Sequence, residues 1–560
     1  MTRIDWILIA AYLVAVVGLG VFAGFRRGRA DHGSDSGRYF LAGNVLGWPM
    51  IGLAMFAANI STVHLVSLAE AAYKFGLVFG NFEWMAGFTL LLLSCFFAPL
   101  YLRSRVATLP DFLERRFNRG CRDVLSVVSL FSAVVIHMGV ALYTAAWVLR
   151  GILGIAPGGT IFGIDALLLF IAGLGLLTGI YTVIGGLLAV VWTESVQTVL
   201  LLTGSIVITV VGYWKVGGWA SLAATLQSHP HPLVGVTGSN VTWDTRNFLS
   251  MARSSGDPSG LTWYSILLGY PVLGIWYWCC DQTIVQRVLA ARDEKHARLG
   301  PLFCAFLKIL PVFFFVLPGV ICVALVQQRA FGAAAPASAA DTYTFLISHL
   351  LPTGLKGLVA AAMLAAAMQT CSAALNSTAT LVAYDLFKRR NPTLSDARLV
   401  KIGRLTTGAA TVLAIVCSPL FGHYATIFEG INKLISYVAP PITAVFLLGV
   451  FWPRASGRSA LWTLVSGMGL GVVMFVLDWQ NIYHGDFMLN AFWLLIACVA
   501  IMTVTSHLWP QPLTAEARAL VWANWREPLR GETGGRGFAD YRVLSVVLLI
   551  VLIFLYVSFR

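Results

Sequence analysis

The chain has 560 residues, of which 58% are hydrophobic and 11% are charged, and its formal net charge is +13. A composition this apolar excludes an ordinary soluble globular protein and indicates many membrane-spanning helices. The basic residues lie in loops between apolar runs, which argues against a nucleic-acid-binding surface despite the positive charge.

Fourteen apolar runs are long enough to cross a bilayer as helices, because a hydrocarbon core of about 30 Å takes roughly 20 helical residues. They fall near residues 6–25, 46–72, 80–102, 124–150, 161–183, 187–213, 262–286, 300–327, 354–387, 402–421, 425–450, 460–477, 488–506 and 541–559. The sequence therefore predicts an all-α, polytopic membrane protein with 14 transmembrane helices.

Lysine and arginine are concentrated in alternate loops. Most of the 38 basic residues lie in the loops at 26–48, 103–122, 287–298, 388–404, 454–458 and 518–542. By the positive-inside rule these loops face the cytoplasm, so we expect both termini to face outward. The first run is predicted to remain as an anchor, because its basic cluster follows the apolar stretch instead of preceding it.

The extramembrane stretches carry no enzyme motif. The two longest are residues 214–261 on the outer side and 507–540 on the inner side. The cysteines lie in or beside apolar runs without paired spacing, which predicts neither a disulfide framework nor a metal cluster. A membrane-bound enzyme would need a nucleophile, a metal cluster or a nucleotide-binding motif, so the sequence favours a transporter.

Two groups of five spans, 46–213 and 262–450, have opposite orientations by the same charge count. Such an arrangement permits an inverted repeat, in which the substrate site lies near the midplane on interrupted helices. The first span of each group contains residues that weaken a helix: AANIST at 57–62, and Gly269, Pro271 and Gly274 in the second group. These residues free backbone carbonyls, which is tolerable at membrane depth where they line a cavity.

The second span of each group carries a charged residue. Glu83 and Lys308 have opposite charges at equivalent places, and they predict one polar site between the two groups. A structural ion pair between them is the alternative. Lys433 and Glu429 are spaced i,i+4 and are predicted to form a local pair, and the role of Asp281 is left open.

Several stretches resemble the sodium:solute symporter family, and within it the sodium/glucose cotransporter branch. They are NIS with His64 (59–64), FEWM (82–85), VATLPDFLERRF (106–117), GGLLAVVWTESVQT (185–198), WYWCCDQTIVQR (276–287), FLKILP (306–311), MLAAAMQTCSAALNST (363–378) and SYVAPPITAVFLLGVFW (436–452). The similarity covers roughly residues 5–506. The stretch at 276–287, followed by FLKILP, is the most specific for the sugar-transporting branch.

This resemblance implies a leucine-transporter-like fold and alternating access driven by a sodium gradient. The single transport domain would comprise a leading helix and inner loop (1–45), a first inverted repeat (46–213), an external loop (214–261), a second inverted repeat (262–450) and three trailing helices (451–560).

The resemblance also assigns the substrate site residue by residue. The family's sugar-contacting positions fall on Asn59, His64, Glu83, Tyr277, Trp278, Lys308 and Asn432. The gates fall on Tyr277 at the inner side and on Leu68, Phe82 and Phe428 at the outer side, with Asn59 as the partner of Tyr277. This set suits a polyol, because charged and amide groups distinguish hydroxyl positions while aromatic faces cover C–H surfaces.

The family's sodium site falls on Ala57, Ile60, Ala366, Gln369 and Thr370, and Glu194 falls near the sodium exit. The chain departs from the family pattern at four positions. Gln369 replaces a serine, Glu194 an aspartate and Asn432 a glutamine, whereas Gly274 lacks the polar side chain that is usual there.

Together these features predict a sodium-coupled symporter of a hexose or related sugar. The alternative is a family member that carries another solute, such as myo-inositol, an amino acid or a vitamin, or one with altered or proton coupling. We expect sodium as the co-transported ion, no organic cofactor and no nucleic-acid partner. We also expect contact with membrane lipid, a functional monomer and a location in the cell membrane, which is the inner membrane in a bacterial host.

Overall fold

The computed structural model describes residues 2–26, 35–156, 158–228, 231–232, 242–243, 245–423, 427–480, 482–483, 485–530 and 540–560. These residues are mostly helical, as the composition predicted. Two short antiparallel hairpins interrupt the helices: β1 (Thr160–Ile161) pairs with β2 (Ile164–Asp165), and β3 (His231–Pro232) pairs with β4 (Thr242–Trp243).

The helices form two runs on either side of the second hairpin. The first run comprises α1 (Arg3–Arg26), α2 (Asp35–Leu41), α3 (Trp48–Asn59), α4 (Thr62–Phe75), α5 (Asn81–Leu92), α6 (Ala98–Ser104), α7 (Leu109–Arg116), α8 (Arg119–Phe131), α9 (Val140–Ile152), α10 (Ala166–Val216) and α11 (Gly218–Ser228).

The second run comprises α12 (Trp263–Ile275), α13 (Gln282–Leu289), α14 (Glu294–Leu307), α15 (Leu317–Gln327), α16 (Thr342–Leu350), α17 (Leu355–Leu381), α18 (Asp396–Cys417), α19 (Ile427–Phe451), α20 (Gly457–Trp479), α21 (Phe487–Leu508), α22 (Ala515–Arg518), α23 (Glu527–Arg530) and α24 (Tyr541–Ser558). Short π-helical segments continue several of these helices: Leu93–Phe97, Ser132–Gly139, Trp276–Cys280, Val312–Val316 and Val382–Lys388.

Eleven helical segments within the described residues are long and apolar enough to cross a membrane, compared with fourteen predicted runs. The difference has local causes. Two predicted runs form the single 51-residue helix α10, which bends at Gly186, where φ is 64°. The runs at 46–72 and 262–286 are broken into pieces that are too short to count alone.

The first predicted interruption lies where the sequence placed it. Helix α3 ends at Asn59, Ile60 and Ser61 are extended, and α4 begins at Thr62. The backbone N–H of Ser61 donates to Nδ1 of His64 at 3.3 Å, so His64 satisfies one of the donors that the break exposes. This break therefore leaves the backbone carbonyls around residue 60 outside a continuous helix.

The second interruption differs from the prediction, which placed it at Gly269, Pro271 and Gly274. Helix α12 continues through all three residues, and the break lies at Asp281, whose ψ is 125°. The two glycines serve close packing instead. A Cβ at Gly269 would overlap the backbone of Met488, and one at Gly274 would lie 2.7 Å from the ring of Tyr270.

Helix α17 forms the centre of the bundle, since 94% of the residues in its most apolar stretch are buried. It packs against α10, α1, α3, α9 and α18. The leading helix α1 is tied to its start, because Asp5 accepts hydrogen bonds from the backbone N–H groups of Gly354 and Gly357 at 2.8 and 2.9 Å. A buried carboxylate thus caps the N-terminal end of the most buried helix.

Candidate functional site

A cavity of about 150 Å³ lies where the two broken helices, α5, α14 and α17 meet. One ordered water needs only roughly 10–15 Å³, so this space is large enough for a small organic molecule. It is lined by Asn59, Ser61, His64, Leu68, Phe82, Glu83, Ile136, His137, Val140, Ala141, Tyr270, Leu273, Gly274, Trp276, Tyr277, Trp278, Lys308, Thr370, Asn432 and Ile435.

An ion pair between Lys308 of α14 and Glu83 of α5 forms the charged part of this wall. Both residues are about 2% exposed. The ammonium of Lys308 also donates to Oδ1 of Asn59 at 2.6 Å, and its Nζ lies 5.6 Å from the ring centroid of Trp278. The carboxylate, the ammonium and the amide therefore present hydrogen-bonding groups of fixed geometry beside an aromatic ring.

All seven predicted substrate residues line the cavity, and so do the gate residues Leu68 and Phe82. The hydroxyl of Tyr277 interacts with the side chain of Asn59, the partner expected from the resemblance. The fourth gate residue, Phe428, belongs to α19, and its side chain lies outside the described residues. Geometry thus brings the predicted set together around one space.

The residues His137 and Asp281 were not predicted as part of the site. Nε2 of His137 lies 3.3 Å from Oδ2 of Asp281, and the His137 ring centroid lies 5.9 Å from that of Tyr277. The other oxygen of Asp281 accepts from the backbone N–H of Thr283 at 2.7 Å and so caps α13. A histidine alone in an apolar run was the only sequence signal for this contact.

Lys433 was predicted to pair with Glu429. Its Nζ lies 3.4 Å from a carboxylate oxygen of Asp478 on α20. The side chain of Glu429 lies outside the described residues, so the pair with Glu429 stays a prediction. The contact with Asp478 joins two helices, whereas the predicted pair would have stayed within one.

The predicted sodium ligands lie on α17 and at the break after α3. Ala57 and Ile60 belong to the broken helix, whereas Ala366, Gln369 and Thr370 belong to α17. The two elements are joined where the hydroxyl of Thr62 donates to the carbonyl of Met363 at 2.8 Å.

The Gln369 side chain is buried, and its Oε1 has no hydrogen-bond donor among the described residues. Its Nε2 donates to the backbone carbonyl of Glu194 at 3.4 Å. A buried oxygen without a donor costs free energy unless a cation or another donor satisfies it. The amide is therefore suited to an ion ligand, because hard cations bind oxygen atoms.

Glu194 itself pairs with Arg287 of α13 at 2.6 Å, and both side chains are fully buried. Within the part of the chain that the structure describes, Oε2 of Glu194 has no hydrogen-bond partner. The predicted sodium-exit residue thus joins α10 to the second broken helix.

Comparison with known proteins identifies the chain. A profile described as "Sodium:solute symporter family" matches residues 39–467. The chain belongs to this family. The symporter is 34% identical to sodium/glucose cotransporter 2 of Rattus norvegicus over 84% of this chain and 71% of that one. It is 31% identical to the sodium/mannose cotransporter of Bos taurus over 100% of this chain and 97% of that one.

A solved structure of a Na⁺-coupled sialic acid symporter is similar over 92% of this chain and 99% of that one, with a TM-score of 0.75 and 23% identity. This likeness shows the fold, which is that of the leucine-transporter-like symporters. The protein is accordingly a multi-pass membrane transporter and not an enzyme, and sodium is its co-transported ion.

The symporter also has an ion-pair network at the end of α17. Arg122 of α8 donates to Asp385 and to Glu114, each at 2.6 Å, and to Asp111 at 3.2 Å. The hydroxyl of Thr108 donates to the same oxygen of Asp385 at 3.0 Å. The network joins α7 and α8 to the segment that continues α17.

Proposed function

We propose that the protein is a sodium-coupled symporter of a hexose or a related sugar. The contact of Lys308 with both Glu83 and Asn59 at the wall of the cavity is the main observation that supports this proposal. The relatives named for glucose and mannose support it as well.

The chemistry of these groups suits sugar hydroxyls. A hydroxyl both donates and accepts, so it can donate to the Glu83 carboxylate while it accepts from the Lys308 ammonium. The rings of Tyr277 and Trp278 offer apolar faces to the C–H side of a pyranose. We infer that His64 and Asn432 supply further hydrogen bonds at the wall of the cavity.

For sodium, we propose ligands from both sides of the contact between α3 and α17. The backbone oxygens of Ala57, Ile60 and Ala366 would act with the side chains of Gln369 and Thr370. An ion bound there favours the conformation in which the two elements are together. Sodium binding then raises the substrate affinity. The increase is limited by the difference between the sodium affinities of the two conformations.

The finer architecture belongs to the same proposal. It comprises 14 transmembrane helices, inverted repeats at 46–213 and 262–450, and both termini outside the cell membrane. Tyr277 would close the inner side of the cavity, and Leu68, Phe82 and Phe428 the outer side. Glu194 would lie on the path by which sodium leaves, and one chain would be sufficient for transport.

A second candidate is a symporter of another polyol, such as myo-inositol. A relative named as a sodium/myo-inositol cotransporter, which is 32% identical over 79% of this chain, supports it.

The test is uptake of labelled hexoses and myo-inositol into proteoliposomes, with and without an inward sodium gradient. The proposal predicts hexose uptake that the sodium gradient accelerates. Uptake that ignores sodium but follows a proton gradient would contradict the coupling. Sodium-driven uptake of myo-inositol alone would favour the second candidate.

A further inference from the structure

Tyr270 lies against Gly274, a position in the cavity wall that has no side chain. It is one helical turn before Gly274 on α12, and both residues line the cavity. A Cβ at Gly274 would lie 2.7 Å from Cε1 of Tyr270 and 2.9 Å from Cγ2 of Thr89. These distances are too short for real contacts, so the Tyr270 ring occupies space that a larger residue at 274 would need.

The contacts of Tyr270 connect it to the rest of the site. Its ring is in edge-to-face contact with Phe82, with centroids 5.9 Å apart. Its side chain interacts with that of Trp278, and it lies in the field of the Glu83 carboxylate. At 6% exposure the side chain is nearly buried, so its position is set by packing.

The space that a side chain at position 274 would fill is therefore occupied by the ring of Tyr270, one turn earlier on α12. The ring is larger than any short polar residue, and it brings C–H edges to the wall. A substrate group that faces this wall meets a fixed aromatic surface and has less room than beside a bare glycine.

We propose that Tyr270 is a specificity-determining residue of the substrate cavity and that the glycine at 274 is what admits its ring. The inference rests on the proposed function, because it concerns which sugars the cavity accepts. Tyr270 selects sugars whose substituent at this wall is a hydrogen or a small group, and it rejects sugars with a bulky substituent there.

The test measures KM and maximal rate in proteoliposomes for a hexose, its monodeoxy analogues, its N-acetylamino analogues and myo-inositol. Tyr270→Ala removes the ring, and Tyr270→Phe removes only the hydroxyl. Tyr264→Ala is the matched control, since Tyr264 lies on the same helix, contacts Trp263 and does not line the cavity.

We expect Tyr270→Ala to change the ratio of KM values between a small and a bulky substrate by roughly tenfold or more. Tyr270→Phe should leave the size preference as in the wild type, and Tyr264→Ala should leave the KM ratios unchanged. Equal KM ratios for Tyr270→Ala and the wild type would overturn the inference.

A second pair of variants covers the case in which Tyr270→Ala does not fold. Gly274→Ser should abolish or strongly reduce uptake, because its Cβ displaces the Tyr270 ring. The double variant Gly274→Ser with Tyr270→Ala is made in a Thr89→Ala background, because Cγ2 of Thr89 lies 2.9 Å from the same Cβ. It should recover uptake with a new substrate preference. If the fractional losses of uptake in the two single variants simply multiply in the double variant, the two positions do not share space. This result would contradict the inference.

The same measurements separate this inference from the proposed function. A wild-type protein that carries myo-inositol but no hexose contradicts the proposed function. In that case a changed KM ratio among inositol analogues still supports the role of Tyr270, and an unchanged ratio overturns it.

Discussion

The ion pair between Lys308 and Glu83 has two possible roles, in folding stability and in substrate binding. Burying two opposite charges costs desolvation that their attraction only partly offsets, so such a pair is weak evidence for a purely structural role. Within a membrane, ionisable residues are functional by default. Lys308 moreover donates to Asn59, the last residue before the first helix break. A structural pair would need no such contact.

We expect Lys308→Ala and Glu83→Ala each to abolish sugar uptake. Each single variant also leaves one buried charge unpaired, which costs about 3–5 kcal/mol of folding stability. The double variant Glu83→Gln with Lys308→Met leaves no charge and should recover thermal stability without recovering uptake. Near-normal uptake in the stable double variant would assign the pair a structural role only.

The second residue-scale prediction concerns Thr370, whose hydroxyl donates to the carbonyl of Ala366 at 3.4 Å. This long hydrogen bond is easily exchanged for an ion contact. Thr370→Ala should raise the sodium concentration needed for half-maximal uptake, because one oxygen ligand is lost.

A matched control for Thr370 lies on the same helix. Thr378 is also buried, and its hydroxyl donates to the carbonyl of Ala374 at 2.8 Å. Thr378→Ala should leave the sodium dependence of uptake unchanged. If the two variants shift it equally, the ion is bound elsewhere.

At the scale of elements, a trailing helix contacts Phe82, which lines the cavity. Phe487, the first residue of α21, stacks on Phe82 with centroids 6.5 Å apart and planes 14° apart. Phe82 in turn stacks on Phe79, and Phe79 on Phe75. These rings form a continuous aromatic column from the end of α4 to α21.

We expect Phe487→Ala to raise the KM for substrate several-fold with a smaller effect on the maximal rate, because Phe82, the proposed gate residue, loses an aromatic contact. An aromatic pair contributes about 0.5–1.5 kcal/mol beyond its buried area, which corresponds to roughly two- to tenfold in binding. Phe492 of α21 is in edge-to-face contact with Trp493 instead, and Phe492→Ala is the control. A KM shift of the same size in both variants would show a general effect on α21.

The two helix breaks show what sequence can and cannot predict for an element. The break at 60–61 was predictable, because Asn, Ile, Ser and Thr at 59–62 are weaker helix formers placed together within an apolar run. The prediction misplaced the second break, which lies at Asp281. Glycine and proline can weaken a helix, but they can also be present because close packing requires a small or stiff residue. The packing of Gly269 on Met488 depends on α21, which lies more than two hundred residues later in the chain.

The sequence was sufficient to predict those residues of the candidate site that are charged, such as Glu83 and Lys308, because burying a charge in a membrane costs free energy. It was not predictable at His137 and Tyr270, since their roles depend on which neighbours face them. A tyrosine in an apolar run is usually a packing residue, and only the distance to Gly274 distinguishes this one.

For the whole molecule, the network around Arg122 links the first part of the chain to the end of α17. The Asp385 side chain is fully buried, and that of Arg122 is 10% exposed. Arg122→Leu would leave this carboxylate buried without its partner, and we expect a loss of about 3–5 kcal/mol in folding stability. The unfolding temperature of the purified protein measures it.

An exposed ion pair gives the comparison for Arg122. Arg103 pairs with Glu294 at 3.3 Å, with the two side chains 47% and 36% exposed. Arg103→Ala should change folding stability by less than about 1 kcal/mol, because solvent screens such pairs. Equal losses in Arg103→Ala and Arg122→Leu would contradict the importance of the buried network.

Asn59 and Ile60 are consecutive residues, yet the first accepts a hydrogen bond from Lys308 and the second begins the break that exposes backbone carbonyls. Any displacement of the backbone at residue 60 is therefore transmitted to the Lys308 ammonium through a single peptide unit. If sodium binds at this break, as proposed, thermodynamic linkage requires the substrate to increase the affinity for sodium by the same factor by which sodium increases the affinity for the substrate. The Asn59 amide would thus help to set the size of this shared factor, which two binding titrations, each repeated at saturating co-ligand, measure directly.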